Sequence, residues 1–293
     1  MTKVLISGGS GLIGKQLSFL LTTKNYAVNI LSRNPTNSNE YKWDIKQGYI
    51  DEKAFENIDY IIHLAGAGIA DKRWTSERKQ EIIDSRVMST ELLLLKVSEL
   101  KIPLKGFISA SGIGYYGAIT SEHIFNESDT ANNDFIGNVC QLWEDAALKF
   151  DLANIRTTIL RTGIVLSKKG GALAKMKTPI ISPIGSAKQY LPWIHIDDIC
   201  EMYLYSIENP KMKGIYNAVA PEHHTSSSFS KALAKALKRI YIGLPVPGFL
   251  LKLLFGELAI ILLKGSRVSS KKISQHGYNF KFSKLKDALK DVT

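Results

Sequence analysis

Seven residues near the amino terminus, Gly8-Gly9-Ser10-Gly11-Leu12-Ile13-Gly14, have the types and spacing to hold a phosphate. An apolar run, Val4 to Ile6, precedes them and reads as a buried strand. An amphipathic stretch with Leu17, Leu20 and Leu21 on one face follows and reads as a helix. Strand, glycine turn and helix aim backbone N–H groups and the positive helix end at one point. In this GxxGxxG spacing Gly8 allows the tight turn and Gly11 lets a pyrophosphate approach. Gly14 lets the helix pack closely on the strand. Ser10, Leu12 and Ile13 complete the loop that faces the phosphates. The chemistry is dinucleotide binding.

The second strand, Ala27 to Leu31, ends in Ser32-Arg33-Asn34. Arg33 lies about twenty residues beyond the glycine turn, the position that reads the adenosine ribose. A carboxylate there would take a ribose 2′-hydroxyl and repel a 2′-phosphate, whereas an arginine clamps the phosphate. The expected cofactor is therefore NADP(H), with a solvated surface arginine as the bland alternative. Asp44, after an expected third strand, either accepts from the adenine amino group or caps its own turn. Leu64, Ala65 and Gly66 close the strand Tyr60 to Leu64, and the small pair leaves room for a cofactor to lie flat. His63 reads as a packed strand residue.

These features need a scaffold, and the rest of the chain supplies one. Further strands are expected at Gly106 to Ser109 and Ile155 to Leu160, with helices over Ser76 to Leu100 and Trp143 to Phe150. Such alternation implies an α/β fold, a Rossmann-type doubly wound parallel sheet covered on both faces. Residues 1–165 form the expected NADP-binding domain. A helix at Ile199 to Ile207 and a strand at Gly214 to Ala218 place 194–220 back in it. Residues 166–193 and 221–293 form a smaller, mostly helical substrate lobe. The apolar stretch Phe249 to Leu263 is too short to span a membrane and is expected as a buried helix pair.

The chain has 293 residues, 45% of them hydrophobic, which suffices for a full core. Its net charge of +11 comes from scattered lysines without aromatic interleaving, so anionic small molecules fit better than nucleic acid. Cys140 and Cys200 lack metal-ligand spacing and cannot form a disulfide framework, so no metal is expected. A strand that begins almost at once leaves no signal peptide, and the expected setting is cytoplasmic. The expected partner is a small-molecule substrate, with no membrane, and a homodimer is possible.

With these residues in hand, the chain resembles the extended short-chain dehydrogenase/reductase superfamily, in its atypical branch of epimerase family proteins. The likeness rests on GGSGLIG at 8–14, HLAGAGIADKRW at 63–74 and ISASGIGYYG at 108–117. It continues in RTGIVLSKKGGALAKM at 161–176, PWIHIDDI at 192–199 and LPVPGFLLKLLFGE at 244–257. The resemblance implies a substrate cleft between a Rossmann domain and a C-terminal lobe. It also implies a serine or threonine, a tyrosine and a lysine, the last two spaced YxxxK on one helix face.

Here that helix reads Asp134-Phe135-Ile136-Gly137-Asn138-Val139-Cys140-Gln141-Leu142-Trp143-Glu144, with Ile136 and Cys140 in the tyrosine and lysine slots. Isoleucine has no proton to give, and a neutral thiol supplies no positive charge. By the same resemblance Ser111 takes the serine role if Tyr115 marks the following turn; if Tyr116 does, the slot falls on Gly112. Tyr115 and Tyr116 are candidate phenols. Arg86 could supply the missing charge, or pair with Asp84 or Glu81; it would orient anions but relay no protons. Gln189 and Trp193 are candidate substrate contacts, with Trp193 stacking on a sugar or base. His195, Asp197 and Asp198 are read as interdomain hydrogen-bonding residues. Lys72 and Arg73 are read as an anion contact or as an exposed basic loop. The implied activity is that of an NADP(H)-dependent oxidoreductase or epimerase-like enzyme on a small polar substrate, either free or nucleotide-linked. The alternative is a catalytically silent NADP(H)-binding sensor or regulatory interaction protein.

Overall fold

The apolar run at the amino terminus becomes the central strand of a sheet. The computed structural model describes residues 1–293. Eight of its strands pair side by side: β1 (Lys3–Ser7), β2 (Ala27–Ser32), β3 (Glu40–Asp44), β4 (Tyr49–Ile50), β5 (Tyr60–His63), β6 (Gly106–Gly112), β7 (Thr157–Thr162) and β8 (Gly214–Ala218). Their order is β8-β7-β6-β5-β1-β2-β3-β4. Every pairing is parallel except β3 with β4. The chain builds outward from β1 to β4, then returns to the other side of β1. The reversal between β1 and β5 opens a crevice at the carboxyl ends of those strands.

Side chains alternate across a strand, and here both faces are covered. Val4 and Ile6 face one core with Ile62, Ile108 and Leu160, under helices α1 (Leu12–Thr23) and α4 (Ile196–Glu208). Leu5 faces the other core with Ile61, Phe107 and Ile159, under α2 (Ser76–Glu99) and α3 (Phe135–Leu152). Thr75 caps α2 and Asp134 caps α3 by accepting from backbone N–H groups. Trp43 and Asp44 lie within β3 instead of following it, because Trp43 pairs with Ile50 of β4 and is buried.

The smaller lobe has its own core, drawn from α5 (Ser226–Leu237), a C-terminal helix and the strand Trp193–His195. That helix, Leu285–Val292, buries Leu285, Ala288, Leu289 and Val292 along one face. The stretch 249–263 is helical, but only Leu258 and Ala259 in it are buried, which corrects the sequence reading of a buried helix pair. Helix α6 (Gly248–Phe255) buries none of its residues, and Phe249 and Leu253 are 68% and 74% exposed. The lobe's core is filled without it. Polar ties hold this segment instead. The Arg73 guanidinium donates to the carbonyl oxygens of Leu253 and Leu254, and Lys79 pairs with Glu257. No helix is long and apolar enough to cross a membrane.

Candidate functional site

Backbone contact shapes the turn after β1. Gly8 sits at φ +77°, and a Cβ there would lie 2.8 Å from the Leu64 carbonyl carbon. At Gly14 a Cβ would fall 2.4 Å from the Gly8 carbonyl oxygen, so turn and helix touch directly. Gly11 is different: its Cβ would meet only the Gly8 oxygen, at 3.3 Å, and both it and Ser10 are exposed. Helix α1 starts at Leu12 with no side-chain cap and no acidic residue in its first turn. The first-turn N–H groups, including those of Leu12 and Ile13, therefore have no intrahelical partner and favour an anion. This cradle fits a pyrophosphate.

Leu64 extends the β1–β5 pairing by donating to the Ser7 carbonyl, which sets Leu64, Ala65 and exposed Gly66 opposite the glycine turn. At the end of β2, Arg33 is exposed and makes no hydrogen bond or ion pair within the chain. Asp44 caps its own turn, since its Oδ1 accepts from the N–H groups of Lys46 and Gln47. The adenine role loses that oxygen.

A buried polar network occupies the carboxyl ends of β6, β7 and β8. Ser111, Arg161 and Asn217 are register partners on these adjacent parallel strands and so share one face. The Ser111 hydroxyl donates to Glu144 Oε1 at 2.6 Å. Arg161 grips both Glu144 oxygens at 2.8 Å and donates to the Tyr116 hydroxyl at 2.9 Å. Tyr116 donates to Asn217 Oδ1 at 2.7 Å. The guanidinium also stacks on the Tyr115 ring, 3.3 Å from its centre. Burial opposes the charge of Arg161, but hydrogen bonding and attraction from Glu144 outweigh it and raise the pKa. Burial pushes the Tyr116 phenol up to about 12, so it keeps its proton at neutral pH. Tyr116 is thus held inside the buried network, its hydroxyl occupied by Arg161 and Asn217. Ser111, whose hydrogen is held by a carboxylate, presents acceptor lone pairs instead of polarising a carbonyl. Tyr115 makes no hydrogen bond through its hydroxyl within the chain.

Sequence reasoning missed Glu144, Arg161 and Asn217 as a unit. The available signal was an arginine at the end of an apolar strand, which demands a buried countercharge.

Arg86 pairs with neither Asp84 nor Glu81. It donates to the carbonyl oxygens of Ala67 and Ile82, lies 4.9 Å from the Trp143 ring centre, and leaves Nε without a partner. Its guanidinium backs Gly66, where a Cβ would meet Cζ at 3.0 Å. Burial, opposed by Cys140 and reinforced by Arg78, lowers its pKa to about 10, so it remains a cation. Burial pushes the Cys140 thiol up to about 12, with Glu144 adding to it, so no thiolate forms near neutrality. His63 bridges Ser7 and Ser89, and burial, helped by Arg86, lowers its pKa to about 3. It is a neutral packing residue.

The far-wall residues divide differently from the sequence reading. Trp193 is fully buried in the core of the lobe, so its ring cannot stack on a ligand. Gln189 is also fully buried, and its amide donates to the carbonyl oxygens of Ile184 and Leu262. It ties the chain at Ile184 to the short helix Ile260–Leu263 and does not line the cleft described below. His195 caps α4, while Asp198 accepts from the N–H groups of Lys281 and Phe282. Arg73 serves the carbonyls of α6, as described above.

A cleft of about 630 Å³ lies between the start of α3 and the segment 252–264. Ile136, in the tyrosine slot, forms part of its wall with Trp74 and Phe135. Gly114 makes room for Ile136, because a Cβ there would fall 2.2 Å from the isoleucine Cγ2.

Comparison with known proteins agrees with the fold. Residues 4–143 match the NAD dependent epimerase/dehydratase family, and residues 246–292 match a domain of unknown function, DUF1731. The chain is 34% identical over 297 residues to the mouse (Mus musculus) epimerase family protein SDR39U1, covering 99% of each. It is 33% identical to the Bacillus subtilis epimerase family protein YfhF, covering 99% of this chain and 97% of that one. Among solved structures, human epimerase family protein SDR39U1 with NADPH superposes with a TM-score of 0.89 at 30% identity, covering 99% of both chains.

Proposed function

The chain belongs to the NAD-dependent epimerase/dehydratase family, among the epimerase family proteins, and from that premise we propose that it binds NADP(H) and transforms a small-molecule substrate as an oxidoreductase or epimerase-like enzyme. One observation carries the proposal. A glycine cradle with an uncapped helix start stands at the sheet's reversal point, and an unpaired arginine ends the neighbouring strand. The human relative's structure with NADPH supports the choice of coenzyme. In this reading Gly8, Ser10, Gly11, Leu12, Ile13 and Gly14 surround the pyrophosphate, and Arg33 grips the 2′-phosphate. Leu64, Ala65 and Gly66 line the floor. The nicotinamide, when bound, supplies a hydride acceptor or donor.

The chain's own residues define what surrounds that exchange. Ser111 orients a substrate hydroxyl by accepting its hydrogen bond, because Glu144 holds the serine's own hydrogen. Arg86 contributes fixed positive charge behind Gly66 and moves no proton. Tyr115 offers a phenol hydroxyl that makes no hydrogen bond within the chain, although its ring packs on Arg161. Ile136 and Cys140 favour a second reading, an NADP(H)-binding sensor without turnover.

Turnover separates the two. NADPH carrying deuterium at the transferable position is incubated with the protein and a panel of hydroxy-substituted carbonyl compounds, which offer Ser111 a hydroxyl and the nicotinamide a carbonyl, and products are analysed for label and for isomers. The enzyme reading expects deuterated or isomerised product, reduced at least about tenfold by Ser111→Ala, the scale of one lost oriented contact. A protein that binds NADPH yet yields neither product supports the sensor.

A further inference from the structure

The cleft beside Ile136 says more about its ligand than the family does. Trp74, Phe135 and Ile136 line one side, and Ile260 and Leu263 line the other. Its four charged residues are not equivalent. Asp134 is committed to the cap of α3: Oδ1 accepts from Gly137 N–H and Oδ2 from Ala118 N–H. Glu257 is paired with Lys79. Lys252 and Lys264 have neither an acidic partner nor a side-chain hydrogen bond. The same two lysines, with Leu263, also line an adjoining cavity of about 310 Å³ whose wall includes Phe249. Two lysines without partners thus line both cavities beside an apolar floor.

A sugar needs several hydrogen-bonding partners, and burying its hydroxyls against Trp74, Phe135, Ile136 and Leu263 would leave them unpaired at a cost. A carboxylate or phosphate on an apolar body meets the lysines with its head and the floor with its tail. We infer that the cleft takes an amphipathic anion, a short apolar chain or aromatic body ending in a carboxylate or phosphate, and not a nucleotide sugar. The inference rests on the proposed function and takes this cleft, whose wall includes Ile136 of the tyrosine slot, as the place where the small-molecule substrate sits. It revises the sequence expectation of a polar substrate. The cavity size falls within the range of small-molecule sites.

Calorimetric titrations of the full chain saturated with NADPH test it, with decanoate, decanol and UDP-glucose as probes below their aggregation limits. Decanoate is expected to bind roughly tenfold or more tightly than decanol, the scale of two partly shielded charge contacts. The double variant Lys252→Gln/Lys264→Gln, altered at exposed side chains without partners, is expected to lose that difference while binding decanol as before. Equal affinity for decanoate and decanol overturns the inference, as does UDP-glucose displacing decanoate or an unchanged preference in the double variant. NADPH is titrated separately into the same preparations. Loss of NADPH binding with decanoate preference retained refutes the coenzyme reading and leaves this one standing; the reverse pattern does the opposite.

Discussion

Gly14→Val is expected to lower NADPH affinity by about a hundredfold or more, the scale of losing several charge-assisted backbone contacts to a phosphate. A side chain at this position meets backbone and not a flexible neighbour: the Gly8 carbonyl oxygen at 2.4 Å and Gly9 Cα at 2.6 Å. The collision can be relieved only by moving the turn off the helix, which dismantles the N–H cradle. Calorimetric titration gives the affinity, and circular dichroism confirms that the sheet persists. Gly48→Ala is the control. It also lies at positive φ, +62°, but has no atom within 4 Å of its would-be Cβ. Its cost is backbone strain of about 1 kcal/mol, with NADPH affinity unchanged. A folded Gly14→Val protein that binds NADPH like wild type contradicts the cradle.

The second large effect concerns stability. Glu144→Gln keeps the shape of the side chain but removes the countercharge of Arg161, whose side chain is 1% exposed. Breaking one half of a buried ion pair typically costs about 3–5 kcal/mol, because the remaining charge is stranded out of water. Urea unfolding is expected to show a loss of that order. The double variant Glu144→Leu/Arg161→Met, which removes both charges, is expected to recover part of it. A Glu144→Gln loss under about 1 kcal/mol, the value of an exposed pair, would mean the network is far better solvated than its geometry indicates.

Much of the scaffold was legible because periodicity reports burial. The runs at Val4, Ile62 and Phe107 are buried on both faces, and only a covered parallel sheet asks for that. The glycine turn was legible because positive φ and backbone contact leave few alternatives to glycine. What failed was reading how a side chain is partnered. Trp193 and Gln189 carry groups suited to a ligand, yet each is consumed by packing or by backbone carbonyls that are distant in sequence. Ser111 was visible as a serine, but Glu144 lies 33 residues away, and the direction of their hydrogen bond decides what the hydroxyl can offer. Helix α6 failed for a related reason. Hydrophobicity alone does not reveal whether a second layer exists to cover it, and here Arg73 anchors it through its carbonyls while Lys79 holds Glu257 just beyond its end.

The most direct measurement compares NADPH with NADH by calorimetric titration into wild type and Arg33→Ala. An arginine gripping the 2′-phosphate contributes about 1.5–3 kcal/mol, so wild type is expected to prefer NADPH by roughly ten- to a hundredfold. The variant should bind both coenzymes with similar, NADH-like affinity. Equal affinities in wild type, or a preference for NADPH that survives Arg33→Ala, would contradict the account.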